Sequence, residues 1–179
     1  MLKILSLGIA LILLAGCASK EELAPKKTKN ISVVKKHKVH KAKKMFQTVT
    51  KKEAVLVQKG EDKSSCSVCG MNLVKFYKTS HIANHEDKPV QYCSIHCLAS
   101  HLESGVEVEN PKVVDVSSLK FIPVLQAYYV VGSRVHGTMS RVSKYAFTNL
   151  KDAQDFQAKN GGNIMDFQGA LEKAKEDFK

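Results

Sequence analysis

The sequence predicts an α+β fold with two small ββα(β) units in tandem after a disordered Lys-rich tether. Three observations point to it: a Lys-dense polar segment, short alternating segments typical of strands, and two helical patterns that each follow a pair of strands. The chain has 179 residues, of which 44% are hydrophobic, which is enough for a small core. This length excludes a TIM barrel and a two-domain dehydrogenase.

The first 16 residues predict a signal peptide. Lys3 supplies a positive start, and the apolar run at residues 4–15 ends just before Gly16 and Cys17. Such a run is too short to span a bilayer, but with small residues at its end it is typical of a secretion signal. The Leu-Ala-Gly-Cys ending resembles the bacterial lipobox, so Cys17 is the predicted lipidation site; a plain signal peptide is the alternative. Ala18 resembles the sorting pattern for the outer membrane, with the protein facing the periplasm.

The basic charge is concentrated near the amino terminus. The formal net charge is +11, yet residues 53–179 hold 15 basic and 15 acidic residues. Between residues 20 and 52 there are 12 lysines, opposed only by Glu21 and Glu22. This composition predicts that residues 17–60 form a disordered tether whose partner is an anionic membrane surface. An exported lipoprotein meets little nucleic acid, so no nucleic-acid partner is expected.

Residues 61–118 are predicted to form the first unit. Alternating side chains indicate its strands, turn formers indicate the connections, and a serine before the helical pattern with a glycine after it marks the helix ends. The predicted elements are a strand at residues 76–84, a turn at 86–89, a strand beginning at Val90, a helix at 94–103 with Ser94 near its N-cap, and a strand at 113–116.

Residues 119–179 repeat this order and are predicted to form the second unit. Apolar runs indicate the strands, and helical spacing of apolar residues indicates two helices. The predicted elements are strands at 124–132 and 144–147, a helix capped by Thr148 or Asn149 and ended by Gly161, a strand at 163–165, and a terminal helix at 165–178 with Phe167, Leu171 and Ala174 facing inward.

The cysteines beyond Cys17 form two pairs, Cys66 with Cys69 and Cys93 with Cys97. A Cys-x-x-Cys sequence on a turn allows two thiolates to face one ion. Cysteines four residues apart at the start of a helix can both face the loop before them. A helix amino terminus also lowers the pKa of a thiol, which favours the thiolate that metals need. The pattern therefore predicts a metal site between the turn that carries Cys66 and Cys69 and the helix start that carries Cys93 and Cys97.

The donor set leaves the metal open between copper and zinc. Four thiolates alone suit Zn²⁺, whereas the thioether of Met71 makes the set softer and favours Cu(I). Core packing is the equal alternative for Met71. His96, which lies inside the second cysteine pair, is the histidine included among the candidate ligands. The further nitrogen candidates, for which a surface or supporting role is the alternative, are His81, His85 and His101.

Two metal-free interpretations of the cysteines remain. Four cysteines of a small exported domain commonly form two disulfides. A thiol–disulfide oxidoreductase is a weaker alternative, because the Cys-x-x-Cys sequence does not open a long helix within a βαβ unit. No carboxylate pair, Ser/His/Asp arrangement or phosphate-binding loop is evident, so the chain is not expected to be an enzyme.

Cys69-Gly70-Met71, followed by a strand and the second cysteine pair, resembles the NosL family of copper-binding lipoproteins that accompany nitrous oxide reductase. The resemblance continues with residues 129–133, with Gly137-Thr138-Met139, and with Gly161-Gly162, and it covers roughly residues 66–167. The spacing of Cys69, Cys93 and Cys97 also resembles the TRASH-type metallochaperone knuckle.

The resemblance implies two ββαβ-like units and a Cu(I) chaperone that acts by ligand exchange. It implies delivery to the copper sites of nitrous oxide reductase, with a membrane-bound assembly machinery as the handover partner. The family motif carries over onto Cys69 and Met71, whereas Cys66, Cys93 and Cys97 are additions to its simplest pattern. Zn²⁺ therefore stays an alternative cofactor, in a structural, protein-binding envelope module. A homodimer is left open.

Overall fold

The computed structural model describes residues 45–178. The predicted signal peptide, the lipidation site Cys17 and residues 17–44 of the predicted tether lie outside this range. Within residues 45–178, no helix has both the length and the apolar character needed to cross a membrane.

The described residues form an α+β fold, which confirms the predicted class. Seven strands and three α-helices follow one another, with short 3₁₀ turns between some of them. The strands are β1 His81–His85, β2 Lys88–Tyr92, β3 Glu109–Val114, β4 Phe121–Pro123, β5 Tyr128–Val131, β6 Lys144–Phe147 and β7 Asn163–Met165. The helices are α1 Ile95–Glu103, α2 Leu150–Asn160 and α3 Phe167–Lys175.

The two units share one strand topology. In the first, β1 lies between β2 and β3 and is antiparallel to both, and α1 connects β2 to β3. In the second, β5 lies between β6 and β7 in the same way, and α2 makes the connection. The hairpin registers place His81 opposite Tyr92 and Tyr128 opposite Phe147. The predicted repeat of two ββα(β) units is confirmed.

Three local features differ from the sequence predictions. The segment before β1 is a 3₁₀ turn, Tyr77–Thr79, whose first and last side chains are buried; alternation of burial over so short a run does not distinguish a turn from a strand. A second 3₁₀ turn, Val124–Gln126, precedes β5. Strand β4 was not predicted from the sequence. It is a three-residue edge strand that pairs with β3. It ends in Pro123, a residue type that edge strands tolerate.

The two units share a core. Helix α1 packs against α3, and Ile95 and Ala99 of α1 join one apolar cluster with Val113 of β3, Tyr129 of β5 and Ala170 of α3. The predicted inward residues of the terminal helix are consistent with this, since Leu171 and Ala174 are buried and Phe167 packs against the same cluster. The helix that carries Cys97 is therefore held by both units.

Residues 45–58, here called the N-terminal strap, pack along both units, although the sequence places them in the tether. The Phe46 ring lies against Tyr145, with 5.2 Å between centroids. The Gln47 amide donates to the carbonyl oxygen of His136 at 2.6 Å. Val49 is buried in a cluster with Tyr77 and Val114. The strap thus contributes to the core.

Candidate metal centre

A tight loop presents the first cysteine pair. Residues 66–71 are closed by two backbone hydrogen bonds, from the Cys66 amide to the Met71 carbonyl and from the Gly70 amide to the Cys66 carbonyl, each 2.9 Å long. Ser65 and Asn72 form an antiparallel bridge at the base. Gly70 has a φ of +72°, a region that favours glycine because it has no Cβ. We call residues 65–72 the knuckle.

The second cysteine pair faces the knuckle. Cys93 directly follows β2, and Cys97 lies in the first turn of α1. The sulfur of Cys69 lies 3.6 Å from that of Cys93 and 3.5 Å from that of Cys97, and the Cys93–Cys97 distance is 3.6 Å. With Cys66, the four sulfurs lie within 4.8 Å of one another, and all four are free thiols.

These distances fit a metal ion. Four sulfurs arranged tetrahedrally around an ion at about 2.3 Å lie about 3.8 Å from one another. The triangle formed by Cys69, Cys93 and Cys97 is slightly tighter than this, and Cys66 lies close enough to provide the fourth ligand. The four thiols can therefore hold a single metal ion.

Access to the four sulfurs is uneven. Cys66, Cys93 and Cys97 are at most 4% exposed, whereas Cys69 is an exposed residue. Its neighbours on the knuckle, Val68 and Gly70, are exposed as well. A metal ion held here would be screened by protein on three sides, and the ligand nearest to solvent would be Cys69.

The buried thiols have different proton affinities. Hydrogen bonds from the Cys93 and Cys97 thiols lower the pKa of Cys66 far below its usual value, and backbone amides of the knuckle assist them. The hydrogen bond to Cys66 raises the pKa of Cys93 and of Cys97, and burial adds to both shifts. The helix start was expected to lower the pKa of Cys97; the shift is in the opposite direction because this thiol donates to Cys66 and is buried.

The sequence model of the NosL family matches residues 56–173, which is more than half of the chain. The chain belongs to the NosL family. The match includes both cysteine pairs and both ββα(β) units, so the predicted family is confirmed.

A NosL of known structure resembles this chain. The crystal structure of the copper chaperone NosL from Shewanella denitrificans matches with 25% sequence identity and a TM-score of 0.49. The match covers 63% of this chain and 94% of that one. No curated protein matches the sequence.

The two other candidate ligands of this NosL chain, Met71 and His96, lie in different surroundings. Met71 is partly buried and packs against the apolar cluster that contains Cys66, Cys93 and Cys97. His96 packs against Phe178, with 4.4 Å between ring centroids, and its Nδ1 lies 3.7 Å from an Asp177 oxygen. Among residues 45–178, the group of three or more His, Cys, Asp or Glu side chains close enough to share one ion consists of the four cysteines and does not include His96.

The other histidines have different surroundings. His81 is buried, with Nδ1 3.0 Å from the Thr79 carbonyl oxygen and Nε2 3.2 Å from the Tyr129 hydroxyl. His136 is exposed, and its carbonyl accepts the hydrogen bond from the N-terminal strap. His85 and His101 lie beside each other, with 5.7 Å between ring centroids.

A set of hydrogen bonds that was not predicted from the sequence holds the knuckle of this NosL protein in place. The side-chain amide nitrogen of Gln58, in the strap, donates to the Ser65 carbonyl at 2.8 Å. The side-chain Oε1 of Gln58 accepts hydrogen bonds from the Ser67 hydroxyl and from the backbone N–H of Gln91. Ser67 in turn donates from its backbone amide to the Gln91 carbonyl at 3.0 Å. Glutamine carries no metal-site signal in a sequence, so only the fold reveals its role.

Two residues beside Cys93 were missed as well. The Thr79 hydroxyl donates to the Cys93 carbonyl oxygen at 2.7 Å and also lies 2.8 Å from the Thr138 hydroxyl of the second unit. Tyr92 is fully buried in the thiol cluster, and its hydroxyl lies 2.8 Å from Nδ1 of His101. The position of Tyr92 directly before Cys93 was the available sequence signal.

Proposed function

We propose that this protein is a non-enzymatic Cu(I) chaperone. The observation that carries the proposal is the convergence of four free thiols of which only Cys69 is exposed. Thiolates are soft ligands that select Cu(I), and the partly buried thioether of Met71 lies beside them. A structural site would gain nothing from an exposed ligand, whereas a carrier needs one ligand that a partner can reach.

Transfer would proceed by ligand exchange. A thiolate or imidazole of the acceptor approaches the cargo ion at Cys69 and bonds to it before Cys69 leaves. The buried ligands, Cys66, Cys93 and Cys97, are then released one by one. Cu(I) adopts low coordination numbers, so an intermediate with ligands from both proteins needs no simultaneous breaking of all bonds. The copper stays Cu(I) throughout, and no substrate is turned over.

Family membership supports the acceptor and the setting that we propose. The copper would be delivered to the sites of nitrous oxide reductase, through its membrane-bound assembly machinery. Lipidation of Cys17 would hold the protein at the membrane facing the periplasm, with the outer membrane favoured, and the Lys-rich segment would contact anionic lipids. A tether raises the effective concentration of the head near a membrane-bound acceptor.

The test is an anaerobic Cu(I) titration of the reduced full-length chain in detergent, with affinity read by competition against a chromophoric chelator. Cys69→Ser and Met71→Leu are the variants, and Met139→Leu, an exposed methionine of the second unit, is the matched control. We expect a single Cu(I) ion per chain and an affinity at least about tenfold weaker in both variants. The Met139→Leu variant should bind as the parent does.

A structural zinc site is the second candidate, favoured by four sulfurs that lie within 4.8 Å of one another. It predicts that Zn²⁺ raises the midpoint of thermal unfolding and that Met71→Leu binds both metals as the parent does. If added Cu(I) fails to displace the bound zinc, and a copper acceptor cannot remove Cu(I), the chaperone proposal is wrong.

A further inference from the structure

A pair of histidines lies outside the four-thiol site. His85 ends β1, and His101 lies in the last turn of α1. Their imidazole rings meet edge to face, with 5.7 Å between centroids and 71° between planes. Both residues are partly buried, so their rings are held by the fold yet reach solvent. The β1–α1 packing, and not local sequence, brings them together.

Each ring is oriented through its Nδ1 atom. Nδ1 of His85 lies 3.0 Å from the carbonyl oxygen of Glu107, which only accepts hydrogen bonds, so this nitrogen carries the proton. Nδ1 of His101 lies 2.8 Å from the Tyr92 hydroxyl, which can accept in the same way. Within residues 45–178, no hydrogen bond occupies the Nε2 atom of either ring. Histidines that bind metals are commonly oriented in this manner, with the second nitrogen held by a carbonyl or hydroxyl.

The surroundings favour a cation. The groove at His85 has a volume of about 790 Å³, and its lining includes the acidic residues Glu86, Glu107 and Glu109 but not His101. No lysine or arginine lines it, and the nearest cation in the strand register is Lys88, opposite His85 in the β1–β2 hairpin. Two imidazoles that share an ion at about 2.0 Å have centroids roughly 5 Å apart, close to the spacing observed here. The remaining positions around an ion would be open to water or to a flexible glutamate.

The surroundings of His101 disfavour its protonated form. Burial, followed by repulsion from His85, lowers the pKa of His101 below its usual value. A neutral ring offers a lone pair, whereas a protonated ring repels a cation. The lone pair at Nε2 of His101 is therefore available at neutral pH when Nδ1 donates to Tyr92.

We propose that His85 and His101 form a second metal site, separate from the thiols, which binds a divalent ion such as Zn²⁺ or Cu²⁺ through two Nε2 atoms. Imidazole is a common ligand of both ions. The site is more open than the four-thiol centre and contains no sulfur, so it should be weaker and should exchange faster. This proposal does not depend on the Cu(I) chaperone function.

Zn²⁺ alone is the probe, because it does not oxidise thiols. The full-length reduced chain is titrated in detergent, in a background of His37→Gln and His40→Gln that removes the histidines of the Lys-rich segment. Bound zinc is counted by equilibrium dialysis, and the imidazole ¹⁵N signals are followed by NMR. The variants are His85→Gln and His101→Gln, and His136→Gln, an exposed histidine of the second unit, is the matched control.

We expect each of the two variants to bind one zinc ion fewer than the parent, or to bind that ion at least about tenfold more weakly. The Nε2 signals of His85 and His101 should shift together, and His136→Gln should behave as the parent. The proposal is overturned if both variants bind as many ions as the parent with equal affinity, or if the signals do not shift. It is also overturned if the variants lose the tighter ion, since the rings would then belong to the thiol site. A Cu(I) titration of the same variants tests the chaperone function separately.

Discussion

The sulfur atoms of Cys69 and Cys97 lie 3.5 Å apart, although 28 positions separate these residues along the chain. Cys69 lies on the exposed knuckle, and Cys97 lies in the buried first turn of α1. The knuckle is held against β2 by Ser67 and Gln91, and β2 leads directly into Cys93 and α1. A metal ion at this point would therefore join the exposed knuckle to the buried first turn of α1.

Metal binding should release protons. The raised pKa values of Cys93 and Cys97 mean that both thiols hold their protons at neutral pH in the metal-free protein. A metal ion must displace both, so its affinity should rise as the pH rises, by about a hundredfold per unit if two protons leave. Zn²⁺ competition at several pH values, or calorimetry in buffers of different ionisation enthalpy, measures the number of protons released on metal binding. An affinity that does not change with pH would contradict it.

Gly70→Ala should impair the metal site specifically. An added Cβ would meet no heavy atom within 4 Å, so the cost arises from the φ of +72° and should be about 1 kcal/mol of unfolding free energy. Relaxation of this strain would move Cys69, so metal affinity should fall as well. Gly161→Ala is the matched control, because Gly161 has a φ of +73°, equally open surroundings and a position at the end of α2. Because the ψ of Gly161 is −166°, which together with this φ is a conformation that essentially only glycine adopts, the control should lose at least as much stability and keep its metal affinity, measured by urea unfolding and metal competition. Equal affinities in the two variants would show that the knuckle conformation is not needed for binding.

The N-terminal strap should contribute to folding. Val49 is 5% exposed, and Val49→Ala should lower the unfolding free energy by about 2 kcal/mol through lost burial and the cavity left behind. Val55→Ala is the control: this side chain is 52% exposed, and its truncation should change stability by less than about 0.5 kcal/mol. Urea unfolding of both variants checks this. If Val49→Ala unfolds at the same urea concentration as Val55→Ala, the strap does not contribute to the core.

Acid should destabilise the protein through His81. Burial lowers the pKa of His81 to about 4, against about 6.5 in an unfolded chain. Below about pH 6.5 the unfolded state takes up a proton that the folded state does not, so the unfolding free energy falls as the pH drops toward 4. The full effect is about 3 kcal/mol. His81→Gln should remove this part of the pH dependence, whereas His136→Gln, at an exposed histidine, should retain it. Urea unfolding of the metal-free parent and of both variants between about pH 6.5 and pH 4 measures this pH dependence.

The strand–strand–helix order was predictable because each signal is local. Alternating side chains marked β1, apolar runs marked β5 and β6, and the glycine at position 161 ended α2 as expected. The helix starts were also predicted at the right positions: Ser94 and Asn149 occupy N-cap positions, although neither side chain makes a capping hydrogen bond. Edge strand β4 was missed because three residues ending in a proline carry too little periodicity.

The sequence by itself determined the candidate donors: two cysteine pairs, each spaced so that its members can share an ion, and a methionine beside them. It also determined the family, because the motif and its spacing are contiguous features. Only the tertiary structure decided which thiol is exposed, which thiols keep their protons, and that Gln58 of the N-terminal strap holds the knuckle. Burial and hydrogen bonding set proton affinity and access, and both depend on residues that meet only after the chain has folded.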